Sequence, residues 1–321
     1  MLDGFNRNID YMRVSLTDRC NLRCKYCMPE DVVPLAHHEI LRYEEILRIC
    51  KITAELGIRT IKIPGGEPLV RIGCLDFLHR LKALPGIQHV TLTTNAVLLA
   101  PIAKDLAEIG ISGINISLDT MNSETYRHMT GRDEYARAWE GLQAAVNAGL
   151  RVKVNCVPLR GYNDNELSDI ARLAEQMPVD VRFIEIMPMG SNAFSPIPGD
   201  SIVSQLKEIY PDLSESRVRR GFGPAHYYTG STLKGAIGFI DAVSHCFCDK
   251  CNRIRLTSEG YLKPCLYHGN GLALRPLLRG DASDSELHNA ISSIIYAKPR
   301  EHAFFAPDPE REMRRMSQIG G

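Results

Sequence analysis

Ten cysteines stand in a chain of 321 residues, and seven of them gather into two groups. Cys20, Cys24 and Cys27 form a C-x3-C-x2-C pattern in CNLRCKYC, while Cys246, Cys248, Cys251 and Cys265 form the second group, built around CDKC. Thiolates at such spacings are ligands for iron–sulfur clusters or for zinc. A four-iron cluster takes four ligands, so a cysteine triad leaves one iron open to bind and activate a small molecule. The rival for the first group is a zinc site completed by His37 or His38. In the second, Cys248, Cys251 and Cys265 are the triad, and Cys246 or His268 is available as a fourth ligand, either for a closed cluster or for zinc. Cys50, Cys74 and Cys156 lie in apolar segments and read as small core residues.

The residues that must hold these thiols in place form a regular rhythm. Short β-branched runs begin at Met12, Ile58, His89, Gly113, Val152 and Val181, and longer helical patterns separate them. Ile46, Ile49, Cys50, Thr53 and Leu56 share one helical face, with Gly57 placed to end that helix. Six such units predict parallel strands with helices outside, in an open sheet or barrel, and ligands then bind at the C-terminal ends of the strands. The rhythm stops near Pro196. A helix is expected over Ser201–Tyr210, then Gly-punctuated hairpins, then helices resuming around Leu272 and Ser285. A division falls near residue 215, giving units of 1–215 and 216–321. The first thirty residues contain no basic stretch followed by an apolar one, and no eighteen apolar residues run together, so the expected location is cytoplasmic, where thiols stay reduced. Thirty-eight basic and thirty-eight acidic residues cancel. Nucleic acid and membrane surfaces are therefore not the expected partners, and an anionic ligand must be met by locally gathered Arg and Lys.

The first cysteine group follows strand one, and strand two ends in IPGGEP, Ile63–Pro68. That combination resembles the radical S-adenosylmethionine (SAM) superfamily. The resemblance implies a partial (β/α)6 barrel with a cluster in its mouth, whose free iron is chelated by SAM and splits it reductively to a 5′-deoxyadenosyl radical. The wording of FCDKCNRIRLTSEGYLKPCL, RVSLTDRCNLRCKYCMP, LTTNAVLL, GINISLDT, RFIEIMPMG and MSQIGG is narrower still. It is similar, over nearly the whole chain, to the GTP 3′,8-cyclase family, lyases that open molybdenum-cofactor biosynthesis.

That family resemblance implies two [4Fe–4S] clusters, on Cys20, Cys24 and Cys27 and on Cys248, Cys251 and Cys265, with a C-terminal α+β region carrying the second. It assigns SAM contacts to Tyr26, Gly66, Ser117 and Met187, and GTP contacts to Arg13, Lys62, Thr93, Lys153, Arg253, Ile254 (through its backbone) and Arg255. Gly320 and Gly321, with Arg253 and Arg255, take the catalytic roles, the tail entering the barrel mouth while Arg314 and Arg315 remain outside as a basic collar. The implied reaction removes hydrogen from C3′ of GTP and joins C3′ to C8, with an external electron donor, and with a downstream cyclic pyranopterin synthase as taker of the product. Monomer and homodimer both stay open. Two positions depart from the family pattern: Pro64 precedes the glycines where TGGEP is expected, and Ala96 stands where TTNG is expected. The rival readings are a radical SAM enzyme with another substrate such as a peptide, a two-cluster electron carrier, and a zinc-stabilised binding protein.

Overall fold

The computed structural model describes residues 1–28, 32–189, 194–302, 304 and 312–320. The predicted β-branched runs are strands: β1 (Tyr11–Val14), β2 (Thr60–Ile63), β3 (His89–Thr94), β4 (Gly113–Ser117), β5 (Val152–Cys156) and β6 (Asp180–Ile184). They lie side by side in chain order, every pair parallel, with helices in the connections. Helix Tyr43–Glu55 shows how the local sequence does this. It buries Ile46, Ile49, Cys50 and Thr53, the Arg42 N–H donates to the Glu45 carboxylate at its start (2.6 Å), and Gly57 at φ 102° turns the chain into β2.

Successive strand residues face opposite ways. On the outer side Met12, Ile61, Leu92, Ile116, Val154 and Phe183 belong to one continuous core beneath the helices. On the inner side the same strands present Arg13, Lys62, Thr93, Asn115, Lys153 and Arg182 to a cavity. The register keeps this polar stripe level: Arg13 lies beside Lys62, Thr93 beside Asn115, and Asn115 beside Lys153.

After β6 a helix, Gly199–Ile209, leads to an antiparallel meander of β7 (Ser214–Ser216), β8 (His226–Thr229) and β9 (Ile237–Ile240). A second meander follows: β10 (Arg253–Leu256), β11 (Tyr261–Lys263) and β12 (Leu272–Ala273). Hairpins were expected here, but each meander also contributes one strand to the parallel set. β9 pairs in parallel with β6, and β10 in parallel with β1. The resulting sheet runs β12-β11-β10-β1-β2-β3-β4-β5-β6-β9-β8-β7 and does not close on itself. The helix expected around Leu272 begins two residues later, at Leu274, because Leu272 pairs with Leu262 across β11 and β12. No helix among the described residues is long and apolar enough to cross a membrane.

Candidate functional site

The inner faces of the strands surround a cavity of about 390 Å³. Cys20, Cys24 and Cys27 reach it from the loop after β1, at the C-terminal ends of the strands. Cys248, Cys251 and Cys265 also line it, but from the opposite end. Cys251 precedes β10, which runs parallel to β1, and the Asn252 carbonyl there accepts from the Tyr11 N–H (3.2 Å) at the start of β1. The two triads are therefore separated along the strands, and the four residues of a strand such as β10 span about 13 Å. His37 and His38 do not join the first triad. Among the described residues the one Cys, His or acid set whose ligand atoms approach within 4.8 Å is Cys246, Cys248 and His302. His268 instead places Nε2 3.0 Å from the Glu301 carbonyl.

At the first triad the two glycines have a local explanation. The Gly66 N–H donates to the Thr17 carbonyl (2.7 Å) and the Glu67 N–H to that of Arg19 (2.8 Å). A Cβ on Gly66 would collide with the Arg19 backbone. Glycine there serves the packing of the IPGGEP loop against the loop that carries the cysteines, while Gly66 itself still lines the cavity. Pro64 offers no N–H, but it lies just past the end of β2 at Ile63 and its carbonyl accepts from the Leu16 N–H (3.5 Å). Glu67 is buried and accepts from Thr94 Oγ1 and from the Asn95 and Leu69 N–H groups. Burial nevertheless lifts its carboxyl to about 7. The Tyr26 hydroxyl donates to Asp119 (2.8 Å), whose carboxyl burial raises to about 6 against that bond and one from the Val157 N–H. Ser117 and Met187 line the cavity on the same side as Tyr26 and Gly66, at the C-terminal ends of β4 and β6.

Between the triads the wall is cationic. Burial, and then Arg13, Arg182, Lys153 and Arg255, push the Lys62 ammonium well below its usual range. Burial, with Arg253 and Arg182 nearby, brings Arg13 down to about 10. Lys153 is paired, to Asp180 (2.8 Å) and the Tyr227 hydroxyl (2.8 Å). Arg182 bridges Asn115 and Asn155. Arg13 Nε and Thr93 Oγ1 are buried with no hydrogen-bond partner. Crowded cations and orphaned polar atoms on one wall fit a polyanion with hydrogen-bonding groups. Ile254 is buried in the core, and it is its neighbours Arg253 and Arg255 that line the cavity.

At the second triad Lys298 donates to the carbonyls of Arg253 (2.9 Å) and Pro264 (2.5 Å). Burial disfavours a Cys251 thiolate, but Lys298 and Arg253 overcome it and bring the group down to about 6. The deprotonated sulfur is the form that ligates metal, so this site suits a cluster. In the first triad burial and the neighbouring sulfur of Cys20 push Cys27 up to about 12, which a cationic iron core in contact would reverse.

The tail reaches the same cavity. Met316 and Ser317 line it, the Ser317 hydroxyl donates to the Cys27 carbonyl (3.3 Å), and the Gly320 carbonyl accepts from Arg255 Nη1 (2.8 Å). Gly320 adopts φ 78°; Gly321 lies outside the described residues. Arg314 and Arg315 are not among the residues that line the cavity, and the Arg314 charge is met by Glu312 (2.9 Å) and Glu259 (2.7 Å).

Comparison with known proteins identifies the family. The pattern of the Radical SAM superfamily matches residues 14–174, and that of Molybdenum Cofactor Synthesis C matches 179–304. A protein of Moorella thermoacetica named GTP 3′,8-cyclase is 42% identical over 331 residues, covering 100% of both chains. One of the same name from Heliobacterium modesticaldum is 44% identical over 330 residues, again covering 100% of each. The chain belongs to the GTP 3′,8-cyclase family. For the fold, Streptococcus suis SuiB bound to S-adenosylmethionine superposes with a TM-score of 0.62 at 16% identity, covering 89% of this chain and 68% of that one.

In this member of the GTP 3′,8-cyclase family several cavity residues were not foreseen. Arg182 alternates inward in VRFIEI just as Lys153 does in VKVNC, so strand periodicity could have found it. Asp119, Asn95 and Lys298 carry no local signal, since only the folded loops bring them to the cavity wall.

Proposed function

We propose that this chain converts GTP to 3′,8-cyclo-7,8-dihydroguanosine triphosphate with reductive cleavage of SAM to 5′-deoxyadenosine and methionine, an early step of molybdenum-cofactor biosynthesis. The observation that carries this reading is one cavity with a cysteine triad at each end and an under-neutralised cationic wall between them. Cys20, Cys24 and Cys27 would hold one [4Fe–4S] cluster beside Tyr26, Gly66, Ser117 and Met187, which would receive SAM. Cys248, Cys251 and Cys265 would hold the second, beside the GTP. When bound, the first cluster supplies the electron that cleaves SAM to the hydrogen-abstracting radical.

The chain's own residues bind and orient. Arg13, Lys62, Thr93, Lys153 and Arg182 meet the triphosphate and ribose along the strands, with Arg253, Arg255 and the Ile254 backbone at the second triad. This fixes the nucleotide lengthwise, with one part toward SAM and the other toward the far triad. Arg255 also holds the Gly320 carbonyl, which supports a role for the Gly320–Gly321 tail beside the substrate. Residues 1–215 thus supply the SAM end and the strand wall that meets the triphosphate, and 216–321 the second cluster and tail. The reading includes a cytoplasmic location, an external one-electron donor and a cyclic pyranopterin synthase that takes the product.

A peptide substrate gives no reason for six buried or half-buried cations on one wall. The deciding experiment is anaerobic incubation with SAM, a strong reductant and GTP deuterated at C3′. Deuterium should appear in 5′-deoxyadenosine together with an isomer of GTP separable by chromatography. Deoxyadenosine without deuterium, and GTP returned unchanged, would reject the reading.

A further inference from the structure

Cys246 and His302 have no part in the cyclisation proposed above, yet they meet Cys248 at the N-terminal end of β10. One ligand atom from each lies within 4.8 Å of the other two. Ligands at roughly 2.0–2.3 Å from one tetrahedral ion stand about 3.3–3.8 Å apart, so small side-chain movements complete a mononuclear set. Cysteines of a four-iron cluster each bind a different iron and need wider separation.

The imidazole is already arranged for ligation. His302 Nε2 lies 3.2 Å from the Ala242 carbonyl, which assigns its hydrogen to that nitrogen. Nδ1 is then left with a free lone pair, and it is buried without any hydrogen-bond partner. An imidazole that donates its other N–H to a backbone carbonyl is the arrangement by which proteins fix a metal-binding histidine. The Cys248 sulfur in turn contacts both the Cys246 side chain and the His302 backbone N–H. Cys246 is exposed, so an ion can enter from solvent.

We propose that Cys246, Cys248 and His302 form a mononuclear site for a soft divalent ion of the zinc class, and that this ion and the second cluster exclude one another because both need the Cys248 sulfur. An ion held there leaves the SAM end of the cavity intact and disables the GTP end. The exclusion rests on the assignment of Cys248 to the second cluster; the ion site does not.

Cobalt(II) is a suitable probe, since its thiolate charge-transfer absorption counts sulfur ligands. The full chain, freed of iron anaerobically, should bind one Co²⁺ through two thiolates and release it to Zn²⁺. Cys246→Ser should halve the charge-transfer intensity per cobalt, and His302→Ala should weaken binding about tenfold or more with both thiolates kept. Cys251→Ser should leave the spectrum unchanged. Cobalt binding indifferent to Cys246→Ser and His302→Ala, or lost in Cys251→Ser, overturns the site. Chain already loaded with about eight irons should take up no cobalt, and zinc-loaded chain should reconstitute to about four. Undiminished cobalt uptake by fully loaded chain overturns the exclusion. A Cys248→Ser chain that keeps about eight irons would trace that failure to the cluster assignment, leaving the cobalt results to judge the ion site. Cys246→Ser should still load both clusters and form the cyclic nucleotide.

Discussion

Lys62 is a buried ammonium for which no carboxylate or other hydrogen-bond partner is found among the described residues, and four cations surround it. Its depressed affinity for a proton has a direct consequence for ligand binding. A triphosphate beside Lys62 restores the charged form, so GTP binding should take up protons and strengthen as pH falls. Calorimetry in buffers of different ionisation enthalpy measures that uptake. Lys62→Met should reduce it and weaken GTP by roughly tenfold to a hundredfold, the range for a charged hydrogen bond. The same change should raise the melting temperature of the ligand-free chain, because a buried amine that burial and four neighbouring cations drive from its charged form is replaced by an apolar side chain of similar size. Ala96 presents a different balance. It is fully buried at φ 65°, where a Cβ costs about 1–2 kcal/mol. Glycine would relieve that strain but lose about 0.8 kcal/mol of methyl burial and roughly 0.5–1 kcal/mol in chain entropy. Ala96→Gly should therefore shift stability by less than about 1 kcal/mol in urea unfolding of the cluster-free chain. Gly141→Ala is the contrast: its Cβ would collide with the Ala96 carbonyl, at a cost of roughly 1–3 kcal/mol.

The C-terminal segment 312–320 is an element with little regular structure and many anchors. The Glu312 N–H donates to the Tyr267 carbonyl (2.7 Å), the Glu312 carboxylate accepts from Lys263 and Arg314, and Ile319 is fully buried. Burial opposes ionisation of Glu312, but its bonds to Arg314 and Lys263 prevail and hold the carboxyl down at about 2, below its ordinary value of 4.5. A depressed acid stabilises the fold above its unfolded value and loses that contribution as pH falls from about 4.5 to about 2. Urea midpoints followed over that interval should drop in the parent chain and drop less in Glu312→Gln. Deleting Gly320 and Gly321 should leave both clusters and SAM cleavage intact while cyclisation collapses, since Arg255 loses its acceptor. Unchanged yield of cyclic nucleotide would reduce the tail to a passive end. How much of this was legible varies by element. β1 to β6 could be read because β-branched runs and helix-ending glycines such as Gly57 are local signals. The parallel pairing of β10 with β1 could not, because Arg253 and Tyr11 lie far apart in the chain and only tertiary contact selects that edge over a free hairpin. The cysteine triads were plain from spacing alone, whereas the approach of His302 to Cys248 depends on how the chain returns from helix Asp284–Tyr296.

At the scale of the whole molecule the two triads should be separable in function. Cys24→Ala should abolish SAM cleavage. Cys251→Ala should retain it under strong reduction yet form no cyclic nucleotide, and iron analysis should find about eight irons in the parent chain and about four in each variant. Equal loss of both activities in Cys251→Ala, with the first cluster still present by Mössbauer spectroscopy, would mean the roles are wrongly divided. The sheet order carries a further consequence, for how the protein is made. β1 is complete at Val14, but the strand that covers its outer edge begins only at Arg253. At roughly 5–20 residues per second, a ribosome leaves that edge uncovered for about 12–50 s. β6 is covered sooner, by β9. Nascent chains halted before residue 253 therefore carry one open parallel edge on an otherwise assembled sheet, and these, more than the finished enzyme, are the species that chaperones must hold apart.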